Sequence, residues 1–176
     1  IAFDASMSTD DGGIVSYEWD WNGDGTYDET TNTPLVEHTW YDDYSGTVKL
    51  KVVDGYGLVG EATTTVNVLN VPPVASIDSS EHPYSHIFVG DTVTFHGSFL
   101  DPGADDTHSI TWNFGDGTLA SGVLTPTHVY ATNGLFTVTL TVTDDDGGVG
   151  SNSITIKVMT INEAVSDLIN TVKDLN

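Results

Sequence analysis

Ile110-Thr111-Trp112-Asn113-Phe114-Gly115-Asp116-Gly117-Thr118 reads as a strand running into a tight turn: apolar and polar residues alternate up to Phe114, and Gly-Asp-Gly then lets the chain reverse. The same phrase stands earlier as Tyr17-Glu18-Trp19-Asp20-Trp21-Asn22-Gly23-Asp24-Gly25-Thr26, longer by one residue, Asn22. His38-Thr39-Trp40 returns as His128-Val129-Tyr130, and Thr47-Val48-Lys49-Leu50-Lys51-Val52-Val53-Asp54 returns as Thr137-Val138-Thr139-Leu140-Thr141-Val142-Thr143-Asp144. Phrases that recur in the same order mark a repeated domain. The chain holds two copies of one module.

Each copy is made of strands. From Phe136 to Thr143 the apolar side chains fall on one face and the threonines on the other, as a half-buried antiparallel strand requires. Val48, Leu50 and Val52 repeat the pattern, with Lys49 and Lys51 outward. Further strands are expected at 74–77, 89–97, 109–114, 123–130 and 149–158. About seven strands in about 90 residues indicate a sandwich of two sheets. The copies meet at Leu69-Asn70-Val71-Pro72-Pro73, where two prolines make a short stiff connector, so the domains read as 1–70 and 71–159. Copy one opens at Ile1-Ala2-Phe3, which aligns with Val93-Thr94-Phe95, so its first strand has no counterpart and upstream sequence is expected. Residues 160–176 change character. Ile161, Val165, Leu168, Val172 and Leu175 recur at helical spacing, and Thr160 with Glu163 forms a capping box, which predicts one amphipathic helix or linker whose stripe packs on something outside this chain.

The 176 residues carry 4 lysines and no arginine against 20 aspartates and 6 glutamates, a formal net charge of -22. Such a surface repels phosphate backbones and anionic lipid heads, which argues against nucleic acid and direct membrane binding. Asp favours turns and hard-cation sites, so the charge belongs to loops. With no cysteine, disulfides, thiolate metal sites and a cysteine nucleophile are all excluded.

The turn from Trp112 to Gly117, the His-x-Tyr at His128 to Tyr130, the alternating strand from Phe136 and the Asp144-Asp145-Asp146-Gly147-Gly148 that follows resemble the PKD (polycystic kidney disease) domain family. The resemblance covers both copies; copy one departs from it by its missing beginning, by Asn22 and by Trp40 in place of Tyr. It implies an all-β chain of two tandem immunoglobulin-like sandwiches followed by a short helix. It also implies a setting in archaeal or bacterial cell-surface proteins or beside secreted hydrolases, with no activity of the module's own.

Asp20, Asn22, Asp24 and Asp28 place oxygens at positions 1, 3, 5 and 9 of a calcium loop, with Gly25 at position 6, while position 12 holds Thr31 instead of a bidentate Glu. The alternative is an Asx-rich turn whose side chains bond their own backbone. A second group is discontinuous: Asp101, Asp105 and Asp106 follow the second strand of copy two, Asp144 to Asp146 precede its last strand, and Asn70 lies in the connector. The resemblance to PKD modules of secreted collagenases implies calcium near this end; solvated turn aspartates are the alternative. The counterparts in copy one are Asp10, Asp11 and Asp54.

His38 and His128 recur with the strand motif and read as structural, each ring buried and bonded to backbone. His82 and His86 belong to a surface loop, because Pro83 and the lack of a helix spoil any ligand spacing. Gly55-Tyr56-Gly57-Leu58-Val59-Gly60 matches a dinucleotide fingerprint by letter only, since a strand follows it and not a helix. Among the aromatics of copy one, Trp21 and Tyr27 are the candidates for an exposed, sugar-stacking pair. No catalytic motif is present, and the chain does not read as an enzyme. The expected function is a non-catalytic structural or cell-adhesion segment of a large extracellular protein, calcium-stiffened, meeting protein or carbohydrate at the cell surface and possible neighbouring copies in an assembly. The alternative is a substrate-binding accessory module of a secreted hydrolase.

Overall fold

The computed structural model describes residues 1–81 and 86–173, with backbone alone for 79–81 and 172; His82 of the expected loop and Leu175 of the expected stripe lie outside the described residues. Two compact units emerge, residues 1–70 with 103–105, and residues 71–102 with 106–176.

In the first unit β1 (Ala2–Asp4) pairs antiparallel with β4 (Leu35–Glu37). A second sheet runs β3-β2-β5-β6, from β2 (Ile14–Asp20), β3 (Glu29–Thr31), β5 (Tyr44–Asp54) and β6 (Val59–Val68). The alternation read in the sequence sets the faces: Val48 is buried, and Lys51 points outward to pair with Glu18, its cross-strand neighbour. Lys49 lies 4.0 Å from the Asp20 carboxylate. Between the sheets sit Trp19, Trp21, Tyr17, Ala5 and Val48, flanked by the half-buried Phe3, Trp40 and Leu50.

In the second unit β7 (Val74–Glu81), β9 (Thr92–Leu100) and β12 (Thr127–Val129) form one sheet in the order β12-β9-β7. The other runs β11-β10-β13-β14-β8, from β8 (Ile87–Phe88), β10 (His108–Asn113), β11 (Leu119–Ser121), β13 (Gly134–Asp144) and β14 (Val149–Met159). Phe95, Trp112, Tyr130, Val138, Leu140 and Val142 are wholly buried between them. The matching positions Trp19 and Trp112 both occupy the core, 3% and 0% exposed. The strand expected over 123–130 is shorter, because Gly122 takes a positive φ of 74° and Pro126 follows. The freed Val123 carbonyl accepts the Trp112 Nε1–H at 3.0 Å.

The helix α1 (Ile161–Lys173) begins where the capping box placed it: Thr160 N donates to Glu163 Oε2 at 2.7 Å, and Glu163 N donates to Thr160 Oγ1 at 3.2 Å. Asn133 Nδ2 donates to Glu163 Oε1, and Lys157 Nζ meets Asp167, so polar contacts tether the helix to the second sandwich. Its apolar residues Ile161, Val165 and Leu168 stay exposed.

Candidate functional site

The loop between β2 and β3 is held by its own backbone. Asp20 is fully buried, and its two oxygens accept from Gly23 N at 2.7 Å and Gly25 N at 2.9 Å. Asn22 Oδ1 accepts from Asp24 N, Asp24 Oδ1 from Thr26 N, and Asp28 Oδ2 from Trp21 N. This is the Asx-turn arrangement, in which side chains take up amides that a reversing chain leaves without strand partners. The bond from Thr26 N also holds the Asp24 carboxyl below its ordinary range.

In the second sandwich the carboxylates of Asp101, Asp106 and Asp144 converge, with oxygens within 4.8 Å of one another. A second set, Asp106, Asp145 and Asp146, satisfies the same limit. Asp144 ends β13 at 5% exposure, and its Oδ1 accepts from Gly148 N at 2.6 Å, closing the turn to β14. Asp145 Oδ1 accepts from Thr107 N at 2.8 Å, which lowers that carboxyl from its usual value and ties the two loops together. Asp101 also meets His108 Nε2 at 2.8 Å. Asn70 and Asp105 fall in the other compact unit. In the first sandwich Asp54 repeats the turn: Oδ1 accepts from Tyr56 N and Leu58 N, while its buried Oδ2 has no hydrogen-bond partner. Asp10 Oδ1 accepts from Gly12 N.

Two expectations change. Trp21 is not exposed: at 4% exposure its indole stacks on Trp19 at 5.1 Å and on His38 at 4.4 Å, because β2 carries it back over the core. The Tyr27 ring lies under Lys51 Nζ at 4.3 Å with its hydroxyl donating to Glu61, whereas Tyr56 stands 83% exposed. His128 is bonded to a carboxylate and not to backbone: Nε2 meets Asp116 Oδ2 at 2.7 Å, with the ring stacked on Phe114. The recurrence of the histidine marked it as structural. Nothing in a spacing of this kind announces the aspartate, because β12 reaches it only through the sandwich.

Against known families, the model described as PKD domain matches residues 1–68, and a second PKD domain model matches residues 70–159. The chain belongs to the PKD domain family. The PKD segment is 34% identical over 104 residues to "Collagenase ColA" of Clostridium perfringens, covering 59% of this chain and 9% of that protein. It is 43% identical over 65 residues to "Collagenase ColA" of Bacillus cereus, covering 37% and 7%. The chain thus matches less than a tenth of either relative's length. Among solved structures, the PKD1 domain of the Vibrio cholerae metalloprotease PrtV is 33% identical at a TM-score of 0.39, covering 51% of this chain and 100% of that one. The PKD1 domain of Vibrio anguillarum Epp is 29% identical at 0.42, covering 52% and 99%.

The two PKD sandwiches are expected to answer acid differently. Burial holds the His38 ring below its ordinary pKa of 6.5, so below that pH the unfolded chain takes up a proton that the folded one resists. Burial raises the Asp116 carboxyl, but bonds from Thr118 and His128 outweigh it and leave the group below 3.8. Its contribution is therefore present above 3.8 and lost as the pH falls through the depressed value. The first sandwich is expected to lose stability from about pH 6.5 downward, and the second to hold until the carboxylate range. Urea midpoints against pH check this: His38→Gln should flatten the upper limb and Asp116→Asn the lower one.

Proposed function

We propose that the chain is a non-catalytic module of an extracellular protein, two PKD sandwiches serving as a structural or adhesive segment that calcium stiffens. The carrying observation is that PKD matches account for residues 1–68 and 70–159. Among the described residues, His128 is engaged with Asp116, His108 with Asp101, and the Asp20 carboxylate with amides of its own loop. Calcium takes six to eight oxygens, and the donor set that suits it is Asp101, Asp106 and Asp144, three anionic groups brought together at -22 overall charge. A cation there neutralises like charges that otherwise raise the energy of the compact state.

Extracellular calcium modules bind at about 10⁻⁴ to 10⁻³ M, and a ligand at a hundredfold excess over Kd stabilises by about 2.7 kcal/mol. The expected result is a melting temperature of the second sandwich that rises with calcium over chelator at fixed ionic strength. The rise should be lost in Asp106→Asn and kept in Asp24→Ala. An unchanged melting temperature in the parent protein sinks the calcium reading, and loss of the rise in Asp24→Ala moves it to the Asp20 loop.

The second reading, a substrate-binding accessory module of a secreted hydrolase, is favoured by the likeness to two collagenases. Retention of the chain on an insoluble fibrous protein or polysaccharide, weakened by Tyr56→Ala, would select it over the first.

A further inference from the structure

Asn-Gly occurs twice in the chain, as Asn22-Gly23 and as Asn133-Gly134. An asparagine followed by glycine can close on itself: the glycine nitrogen attacks the side-chain amide carbon, and no Cβ on the glycine obstructs the approach. The attack needs a base for the glycine N–H and a donor for the charge that gathers on the amide oxygen. The first dipeptide has both. Gly23 N donates to Asp20 Oδ1 at 2.7 Å, and Asp20 is a wholly buried carboxylate with Lys49 Nζ 4.0 Å away. Asn22 Oδ1 accepts from Asp24 N at 2.9 Å, which folds the side chain around Gly23 in an Asx turn.

The fold also fixes the glycine. Gly23 has a φ of 72°, and a Cβ there would lie 2.7 Å from the Thr47 carbonyl oxygen. The second copy turns differently: it has no residue matching Asn22, and Asn113 precedes Phe114, whose N–H is taken by the Thr118 carbonyl. Asn133 is held another way. Its Nδ2 donates to Glu163 Oε1 at 2.7 Å, which draws the amide toward α1, and Gly134 is in register with Val158 at the start of β13.

We propose that Asn22, the residue by which the first copy exceeds the second, is a self-modifying site, with Asp20 the base that turns Asn22-Gly23 into a succinimide. Gly23 N gives its proton to Asp20 and bonds to Asn22 Cγ. The Cγ–Nδ2 bond breaks, and the proton passes to the departing nitrogen, which leaves as ammonia. Water then opens the ring. Attack at Cγ yields aspartate; attack at the main-chain carbonyl of residue 22 yields isoaspartate, in which the chain continues through the side chain. Either product adds a negative charge to a loop that already carries Asp20, Asp24 and Asp28.

The test incubates the full chain in neutral buffer, folded and in urea, and follows both dipeptides by peptide mass mapping. In the folded chain Asn22 is expected to convert at least about tenfold faster than Asn133 and faster than it does in urea, where the two should convert alike. The folded rate at Asn22 should also climb less steeply with pH than the rate in urea, because the base is a carboxylate and not hydroxide. Asp20→Asn should bring conversion at Asn22 down to the urea rate or below, whether or not the first sandwich folds, and leave Asn133 unchanged. An Asn22 rate no higher than that of Asn133, or no higher folded than in urea, overturns the proposal. A folded rate that Asp20→Asn leaves unaltered also overturns it, since Asp20 then takes no proton.

Discussion

Trp112→Ala is expected to destabilise the second sandwich by about 3–5 kcal/mol, because it removes a large ring from a site that cannot collapse. The indole is 0% exposed and lies 5.9 Å, centroid to centroid, from Phe95. Its fit is close: a Cβ added to Gly97 would lie 2.8 Å from the indole edge and 2.7 Å from Leu140 Cδ2, so β9 carries glycine where the ring passes. Its Nε1–H satisfies the Val123 carbonyl, which the truncation would leave to water or without a partner. Trp112→Phe keeps most of the packing and forfeits this bond, and should cost clearly less. Urea unfolding of the full chain measures both; a loss of under about 1 kcal/mol for the alanine would mean that the indole does not hold the sheets together.

Gly150→Ala and Gly60→Ala should have opposite signs, although they are the same substitution at matched positions of two copies of one domain. At Gly150 the new carbon would meet the Pro73 carbonyl oxygen at 1.9 Å, the Pro73 carbonyl carbon at 2.8 Å and Ala75 N at 3.3 Å. All three are backbone atoms and none can rotate aside, so Pro73 and the start of β7 must shift away from β14, at a cost of about 3 kcal/mol, the upper part of the overpacking range. At Gly60 the only close atom is a Val52 methyl at 3.3 Å. There alanine restricts the unfolded chain and should stabilise by about 0.5 kcal/mol. Equilibrium unfolding of the two variants against the parent decides it; equal effects would show that β7 and its lead-in do not press on β14.

How legible the protein is from its sequence follows the range of each interaction. Val138, Leu140 and Val142 announce their strand because alternation is a local property and their burial follows from it. The Thr160 and Glu163 cap is equally local, two reciprocal bonds across three residues. Trp21 misleads because it follows Asp20 at the mouth of a turn, where exposure is the natural expectation. Its burial is decided by Trp19, His38 and Trp40, the last two arriving from a distant segment. The Asp20 loop fits two chemistries by spacing alone; which amides its oxygens take depends on the loop's closure, with Gly23 and Gly25 both at positive φ. The meeting of Asp101, Asp106 and Asp144 requires knowing which loops share an end of the sandwich. β8 is two residues long and pairs parallel with β14, too short to leave a period.

Lys49 and Lys51 each stand against a carboxylate of their own sandwich and Lys157 against Asp167 of α1, and with so few cations almost every charged group a second molecule meets on approach is anionic. β3 and β11 each lie at the edge of a sheet, which is a template for edge-to-edge pairing, and proteins usually shield such margins with lysine, proline or a covering element. In this protein the shield is long-range repulsion, with a reach of about 30 Å at 0.01 M ionic strength and about 8 Å at 0.15 M. Colloidal stability is therefore borrowed from the medium. In dilute buffer the molecules hold each other off before their edges can meet, and in brine the same fold has to rely on its geometry.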